Sequence, residues 1–326
     1  MRRPPLALAY HPFVCADAFR AESLERLGAV ADVLDAEPLT AFDDERAGEV
    51  LARAEILLTS WGCPAVDANV LARAPELRAI VHAAGTIKMH VTDACWDRGL
   101  RVTTANAANA IPVAEFTLAV ILLANKRVFP IERRYREERS FRWWPHEFPG
   151  LGNYEKTVGI VGASSIGRQV IELLRPFAFE VLVADPYLVR AEAEELGVAK
   201  VELDELCERS DCVSLHAPAL LDTHHMIDAR RLALMRDGAT LINTARGWLV
   251  DGAALERELE SGRIFAVLDT TEPETLPPES PLYDAPNVFL TPHIAGSLGS
   301  ETVRMVELAI DEIERYARGE PFRHRV

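Results

Sequence analysis

Three charged residues stand in short, strongly marked segments of this 326-residue chain. Arg246 lies in Asn243-Thr-Ala-Arg-Gly247, Glu274 follows Leu268-Asp-Thr-Thr-Glu-Pro273, and His293 lies in Thr291-Pro-His-Ile-Ala-Gly296. An arginine can fork onto a carboxylate and the adjacent carbonyl oxygen. A histidine suits proton exchange near neutral pH. A carboxylate beside it would hold its tautomer and favour imidazolium as the acid. These are the parts needed to hold a 2-oxo acid and pass a proton to or from its C2 oxygen. Two glutamates, Glu272 and Glu274, compete for the carboxylate role, and side-chain chemistry alone leaves the choice open. Taken singly, Arg246 also reads as a tie between strand and loop, and His293 as a satisfied loop residue.

Upstream lies a segment suited to a dinucleotide. Residues 157–168, Thr-Val-Gly-Ile-Val-Gly-Ala-Ser-Ser-Ile-Gly-Arg, read as a strand, a tight turn and a helix start. The fingerprint for such a turn is GxGxxG, and the helix N-terminus behind it offers N–H groups to a pyrophosphate. Gly162 and Gly167 keep the outer glycines, while Ser164 replaces the middle one and Ser165 and Ile166 complete the loop. A serine Cβ takes up room there, but its hydroxyl can donate to a phosphate oxygen. Asp185 ends an apolar run about twenty residues further on, where an acid accepts from ribose hydroxyls and repels a 2′-phosphate. NAD is therefore expected rather than NADP. The plainer reading of Asp185 is that it opens the Pro186 turn.

The elements that must position these residues alternate between short apolar runs and helical patterns, the pattern of parallel sheets covered by helices. Strands are expected at 6–10, 56–59, 79–82 and 101–103, and then at 157–161, 180–184, 212–216, 240–243, 266–269 and 288–290. The length favours two domains. A small-residue stretch at 104–110 leads into a long apolar helix from Pro112, buried on more than one side, and a last helix covers 300–318. The expected fold is α/β, with two Rossmann-like parallel-sheet domains and a cleft between them. A discontinuous substrate domain takes residues 1–104 plus 296–326, and a cofactor domain takes 105–295.

Hydrophobic residues make up 49% of the chain, enough for a sizeable core. The net charge of −15 argues against nucleic acid, whose binders neutralise phosphates, and against anionic membrane surfaces. Cys15, Cys63, Cys95, Cys207 and Cys212 show no CxxC or metal-ligand spacing, so reduced thiols and no metal are expected. The N-terminal apolar run is too short for a signal peptide, and the run near 116–124 is too short to span a bilayer. A cytoplasmic location follows. His224-His225 reads as an exposed turn.

Several of these segments, taken in order, resemble the D-isomer-specific 2-hydroxyacid dehydrogenases. They are Val158-Gly-Ile-Val-Gly162 with Asp185, Leu215-His-Ala-Pro218, Asn243-Thr-Ala-Arg-Gly247, Leu268-Asp269 and Thr291-Pro-His-Ile-Ala-Gly296. The likeness covers most of the chain and is strongest from 157 to 295. It implies hydride transfer between NAD(H) and C2 of a 2-hydroxy or 2-oxo acid. Arg246 would bind the substrate carboxylate and carbonyl, His293 would be the acid/base, and Asp269 would hold the nicotinamide carboxamide. The family register puts the catalytic glutamate five residues after Asp269, at Glu274. Thr275 then stands where proline is usual, and Glu272-Pro273 offers a decoy.

The same resemblance places His216, Ala217 and Pro218 along the cofactor wall, with Thr244 and Ala245 beside it. In the first domain it anchors the substrate on backbone N–H groups of a glycine-rich loop, which maps to Ala84, Gly85 and Thr86. Thr86 and Lys88 depart from the usual glycine and aspartate, which leaves the substrate open. Trp61 is a further pocket candidate, with packing as the equal alternative. A homodimer is expected. Two rivals share the fold: a formate-dehydrogenase-like enzyme, whose histidine pairs with glutamine, and a non-enzymatic NAD-sensing corepressor or scaffold.

Overall fold

Short runs of branched apolar residues become central strands here, because a parallel strand covered by helices is buried on both faces. The computed structural model describes residues 2–326. It divides into two compact units, Met1–Asn109 with Ser297–Val326, and Ala110–Gly296. Strands of the first unit are β1 (Pro5–Ala9), β2 (Asp32–Val33), β3 (Ile56–Thr59), β4 (Ala79–His82) and β5 (Arg101–Thr104). They form one parallel sheet in the order β2-β1-β3-β4-β5. Every residue of β3 and β4 is buried. The C-terminal helix Thr302–Ala317 returns to this unit and packs Val306, Ile310 and Ile313 against Leu6, Ile56, Leu58 and Val81.

The second unit holds β6 (Lys156–Val161), β7 (Phe179–Ala184), β8 (Ala199–Lys200), β9 (Cys212–Leu215), β10 (Thr240–Asn243), β11 (Phe265–Leu268) and β12 (Val288–Leu290). All pair in parallel, in the order β12-β11-β10-β9-β6-β7-β8. From β6 the chain builds outward through β7 and β8, then crosses back to start β9 on the other side. The switch point between β6 and β9 is where open α/β sheets take ligands, beyond the carboxyl ends of the strands.

Both sheets are therefore parallel and α/β, as the alternating pattern led us to expect. The edge strands β2 and β8 were not anticipated, since two residues carry no periodic signal. The apolar run near 116–124 also needs correction. It is the C-terminal half of a 20-residue helix, Asn106–Asn125, which is long and apolar enough to cross a membrane by length and composition alone. Its preceding small residues are helical too, which the run of alanine and asparagine did not reveal. In the second unit its Ala114, Val120 and Ile121 join Val158, Ile160, Ile242 and Val267 in the core.

Candidate active site

Three neighbouring strands of the second sheet end beside one another, with Asn243 of β10 in register with Leu268 of β11, and Leu268 with Leu290 of β12. Each delivers one charged side chain. Beyond β10 the turn is shaped by buried Asn243, whose Nδ2 donates to Arg246 O (2.8 Å) while its Oδ1 accepts from Ala245 N (3.1 Å). That clamp turns Arg246 outward. Its guanidinium is exposed and spends one hydrogen bond on Ala245 O (2.6 Å). Among the described residues no carboxylate neutralises it.

Beyond β12 the histidine loop is held by Asp269, which is only 1% exposed. Asp269 Oδ1 accepts from Thr291 Oγ1 (2.6 Å) and Ile294 N (2.7 Å), and Oδ2 accepts from Ala295 N (2.9 Å). His293 N donates to the Asp269 carbonyl (2.8 Å). Charge-assisted bonds from three donors fix the loop around His293, which itself adopts a left-handed φ of 57°. The structure thus gives Asp269 a structural task that was not foreseen. Its partners lie more than twenty residues downstream, beyond the reach of local pattern reading.

The exposed His293 ring meets Glu274, with Nδ1 2.5 Å from Oε1. Glu272 goes elsewhere, its Oε2 lying 3.5 Å from His225 Nε2. Thr271 Oγ1 donates to the carbonyls of Pro273 (2.8 Å) and Glu274 (3.2 Å), which shapes the loop that separates the two glutamates. With Nδ1 engaged by a carboxylate, Nε2 is the ring nitrogen left to meet a substrate.

At the switch point the dinucleotide turn requires two of its glycines. Gly162 has φ 96°, and a Cβ there would lie 2.7 Å from Ala217 N and 2.9 Å from the His216 carbonyl carbon. A Cβ on Gly167 would overlap the Gly162 carbonyl. Ser164 is different. With φ −64° it needs no glycine, and its Oγ accepts from Gly167 N (3.3 Å) as the N-cap of helix Ser165–Leu174. The first-turn N–H groups of Ser165 and Ile166 have no intrahelical acceptor, and the positive end of the helix dipole adds to them. This cradle fits a pyrophosphate.

Asp185 opens the Pro186 turn, the plainer of its two readings, and also bonds the glycine turn. Its Oδ2 accepts from Ala163 N (2.7 Å) in the glycine turn, while Oδ1 accepts from Tyr187 N (2.7 Å) and Leu188 N (3.1 Å) beyond Pro186. His216 is buried with Nε2 2.9 Å from Ser214 Oγ, and burial pushes its pKa down to about 3, so the ring is neutral. Ala217 is buried against the turn and Pro218 is exposed. Thr244 and Ala245 are buried, and Thr244 Oγ1 pairs with Thr117 Oγ1 (3.0 Å), leaving the backbone as the face open to a ligand.

In the first unit Ala84 is buried and its carbonyl accepts from Ala105 N (3.0 Å). Gly85 is half-buried, and a Cβ there would come 3.3 Å from Asn106 Oδ1. Thr86 is exposed, with Oγ1 3.4 Å from Lys88 N. Trp61 is half-buried and packs against the core clusters of this unit, with its carbonyl accepting from His11 N (2.9 Å). A residue overlooked as a group in its own right is His82, at the end of β4. It is buried, its Nδ1 lies 2.8 Å from Thr59 Oγ1, and burial, helped by nearby His90, lowers its pKa to about 3. The sequence showed His82 only as the last residue of the expected strand 79–82.

Comparison with known proteins places this geometry. The family described as "D-isomer specific 2-hydroxyacid dehydrogenase, NAD binding domain" matches residues 118–295. A glyoxylate reductase of Korarchaeum cryptofilum is 36% identical over 258 residues, covering 78% of this chain and 77% of the relative. A D-3-phosphoglycerate dehydrogenase of Methanocaldococcus jannaschii is 31% identical over 306 residues, 93% of this chain, but the match spans only 57% of that longer protein. Among solved structures, the D-mandelate dehydrogenase of Rhodotorula graminis superposes with a TM-score of 0.82 at 25% identity, covering 100% of this chain and 98% of the other.

Proposed function

The chain belongs to the D-isomer-specific 2-hydroxyacid dehydrogenase family, and from this we infer that it transfers hydride between NAD(H) and C2 of a D-2-hydroxy acid or its 2-oxo acid. The observation that carries the mechanism is the 2.5 Å pair of His293 and Glu274 on strand ends adjacent to that of Arg246. Bound at the Gly162–Gly167 turn, NAD supplies the hydride acceptor, or the donor when reduced. The turn, Ser164 to Ile166, Asp185, the 216–218 segment, Thr244, Ala245 and Asp269 are the cofactor contacts of this reading.

Arg246 binds the substrate carboxylate and polarises its carbonyl. In reduction, His293 gives a proton to the developing C2 alkoxide. In oxidation, neutral His293 takes the proton from the hydroxyl. Glu274 fixes the ring and stabilises its charged form. The 1–104 plus 296–326 domain is the substrate domain of this reading, with carboxylate donors of its own in the backbone N–H groups at Gly85 and Thr86, and with Trp61 as its aromatic candidate. Residues 105–295 carry the cofactor. A carboxylate rather than an amide beside His293 speaks against a formate-dehydrogenase-like reaction, and the outward, unpaired Arg246 speaks for an enzyme over an NAD-sensing scaffold.

We take the substrate as a 2-oxo acid without phosphate, because Lys88 is the single lysine or arginine between Arg78 and Arg98, the stretch that holds the first unit's loop. We place the protein in the cytoplasm as a homodimer. The exposed aromatics Tyr135, Phe141 and Trp143 in one segment of the second unit support a subunit contact. The test is NADH oxidation followed by absorbance against glyoxylate, hydroxypyruvate and bulkier 2-oxo acids, with Arg246→Ala and His293→Ala as controls. Turnover of at least one acid that is lost in both variants is expected. Activity surviving in both would overturn the mechanism.

A further inference from the structure

The glutamate that the catalytic pair leaves aside faces two other histidines. His225 Nε2 lies 3.5 Å from Glu272 Oε2, and the donor atoms of His224, His225 and Glu272 all lie within 4.8 Å of one another. Two ligands about 2.0–2.2 Å from a tetrahedral ion stand about 3.3–3.5 Å apart. The His225–Glu272 spacing already matches that figure. The exposed His224 ring stacks on His225 with centroids 3.8 Å apart, so it lies beside the same point and turns out of the stack to bring a nitrogen to an ion there.

The surrounding chain builds this arrangement. His225 has a left-handed φ of 49° and its N–H donates to Trp248 O (3.0 Å). Trp248 packs on the His224 ring at 4.0 Å and anchors its own Nε1 on Leu220 O (2.7 Å). Thus the 220–225 turn is stapled to the segment that follows Arg246.

A second observation points to a cation. The three residues border a cavity of about 590 Å³ whose lining also holds Asp251, Glu256 and Glu279 and no lysine or arginine. Four carboxylates around one concave surface, on a chain of net charge −15, concentrate cations there. Imidazole with carboxylate is a donor set for borderline ions such as Zn²⁺, Co²⁺ and Ni²⁺, not for Mg²⁺, which takes oxygen ligands.

We propose that His224, His225 and Glu272 form a divalent transition-metal site, completed by water and separate from the His293–Glu274 pair. An ion there joins the 220–225 turn to the 271–274 loop. Through Thr271 and its bonds to the Pro273 and Glu274 carbonyls, it stiffens the loop that presents Glu274. The site does not depend on the identity of the substrate.

The experiment is calorimetric titration of the untagged, chelator-treated protein with Zn²⁺, with Co²⁺ absorption as a report on the ligands. One ion per chain is expected, with a rise in Tm that follows Zn²⁺ occupancy. Glu272→Gln and His225→Asn should each weaken binding about tenfold or more and abolish the Tm rise. Asparagine tolerates the left-handed backbone at 225, and Glu272 is an exposed loop residue, so at least one variant keeps the fold. Neither should alter basal turnover. His293→Ala should leave Zn²⁺ affinity unchanged. No binding at submillimolar Zn²⁺ would reduce the cluster to an ordinary ion pair and overturn the proposal. Binding that survives Glu272→Gln and His225→Asn, or that vanishes in His293→Ala, would do the same.

Discussion

The two parallel sheets are built from the same kind of buried strand, yet their carboxyl edges differ. After β10, β11 and β12 the chain presents Arg246, Glu274 and His293, all exposed. After β3 and β4 it presents Ser60, Trp61 and the 83–86 turn, and its histidine, His82, is buried and neutral. Register past the strand end makes the difference. His82 is the last residue of β4, and His216 is the first after β9, where its N–H still bonds Val161 O (2.7 Å) as the ladder would. Both rings therefore fall inside. His293 stands three residues beyond β12, on a loop lifted by Asp269. A histidine becomes a candidate proton carrier here by clearing the sheet by a few residues.

The sharpest way to break that contrast is to remove one histidine from each edge. His293→Ala should lower kcat by about 10²–10⁴-fold, the usual worth of a positioned acid/base. Its stability should barely change, because the ring is exposed. His82→Ala should do the reverse. Losing a buried, bonded ring costs about 1–3 kcal/mol in urea unfolding, with residual folded enzyme turning over. Equal kinetic losses in the two variants would erase the distinction between a charged edge and a neutral one.

The next contrast lies within the charged edge. Glu274→Gln should cut kcat by about tenfold or more and move one limb of the pH–rate profile. Glu272→Gln should stay within about twofold of the parent, since its partner is His225 and not His293. A larger effect at Glu272 would reverse the assignment.

Much of this arrangement could be read from the chain, and the rest was hidden for physical reasons. The runs 56–59, 79–82 and 240–243 are strands at those limits, buried along their whole length as parallel strands covered on both faces are, and the half-buried edge strand 288–290 keeps its limits too. The order of Arg246, Asp269, Glu274 and His293 was legible as well. What spacing does not show is the direction of a side chain. Glu272 and Glu274 are two residues apart, and only the turn shaped by Thr271 sends one to His225 and the other to His293. Nor does it show the acceptor role of Asp269, whose donors at Thr291, Ile294 and Ala295 arrive through tertiary structure. Helix Asn106–Asn125 was underestimated because Asn106 to Ala110 carry helical backbone without an apolar stripe.

Acid sharpens the comparison by asking whether the buried histidines of both units behave alike. Burial lowers His82 and His216 from the ordinary 6.5 to about 3. Their folded pKa values lie below the unfolded ones, so the unfolded chain takes up the proton first as pH falls. The stability from keeping these rings neutral is complete above 6.5 and is lost progressively between 6.5 and about 3. Tm against pH should fall over that window. The fall should be shallower in His82→Asn and His216→Asn, and shallowest in the double variant. An unchanged slope in the double variant would mean that neither ring is held neutral by burial.

The smallest effect is expected where the cofactor edge tolerates a side chain. Ser164 stands in the fingerprint place usually given to glycine, yet its φ of −64° is one any residue adopts, and its Oγ caps the helix behind it. Ser164→Gly opens room beside the pyrophosphate and removes the cap, for which glycine substitutes at a cost of a few tenths of a kcal/mol. Ser164→Ala removes the cap without that compensation and should cost about 1 kcal/mol. In both variants the NADH dissociation constant, read by fluorescence titration, should stay within about threefold of the parent, because the backbone N–H groups that hold the phosphates are untouched. A change of about tenfold or more, a 1.4 kcal/mol effect, would mean that the Ser164 hydroxyl itself grips the pyrophosphate. The glycine turn would then depend on side chains as heavily as the edge that carries Arg246, Glu274 and His293.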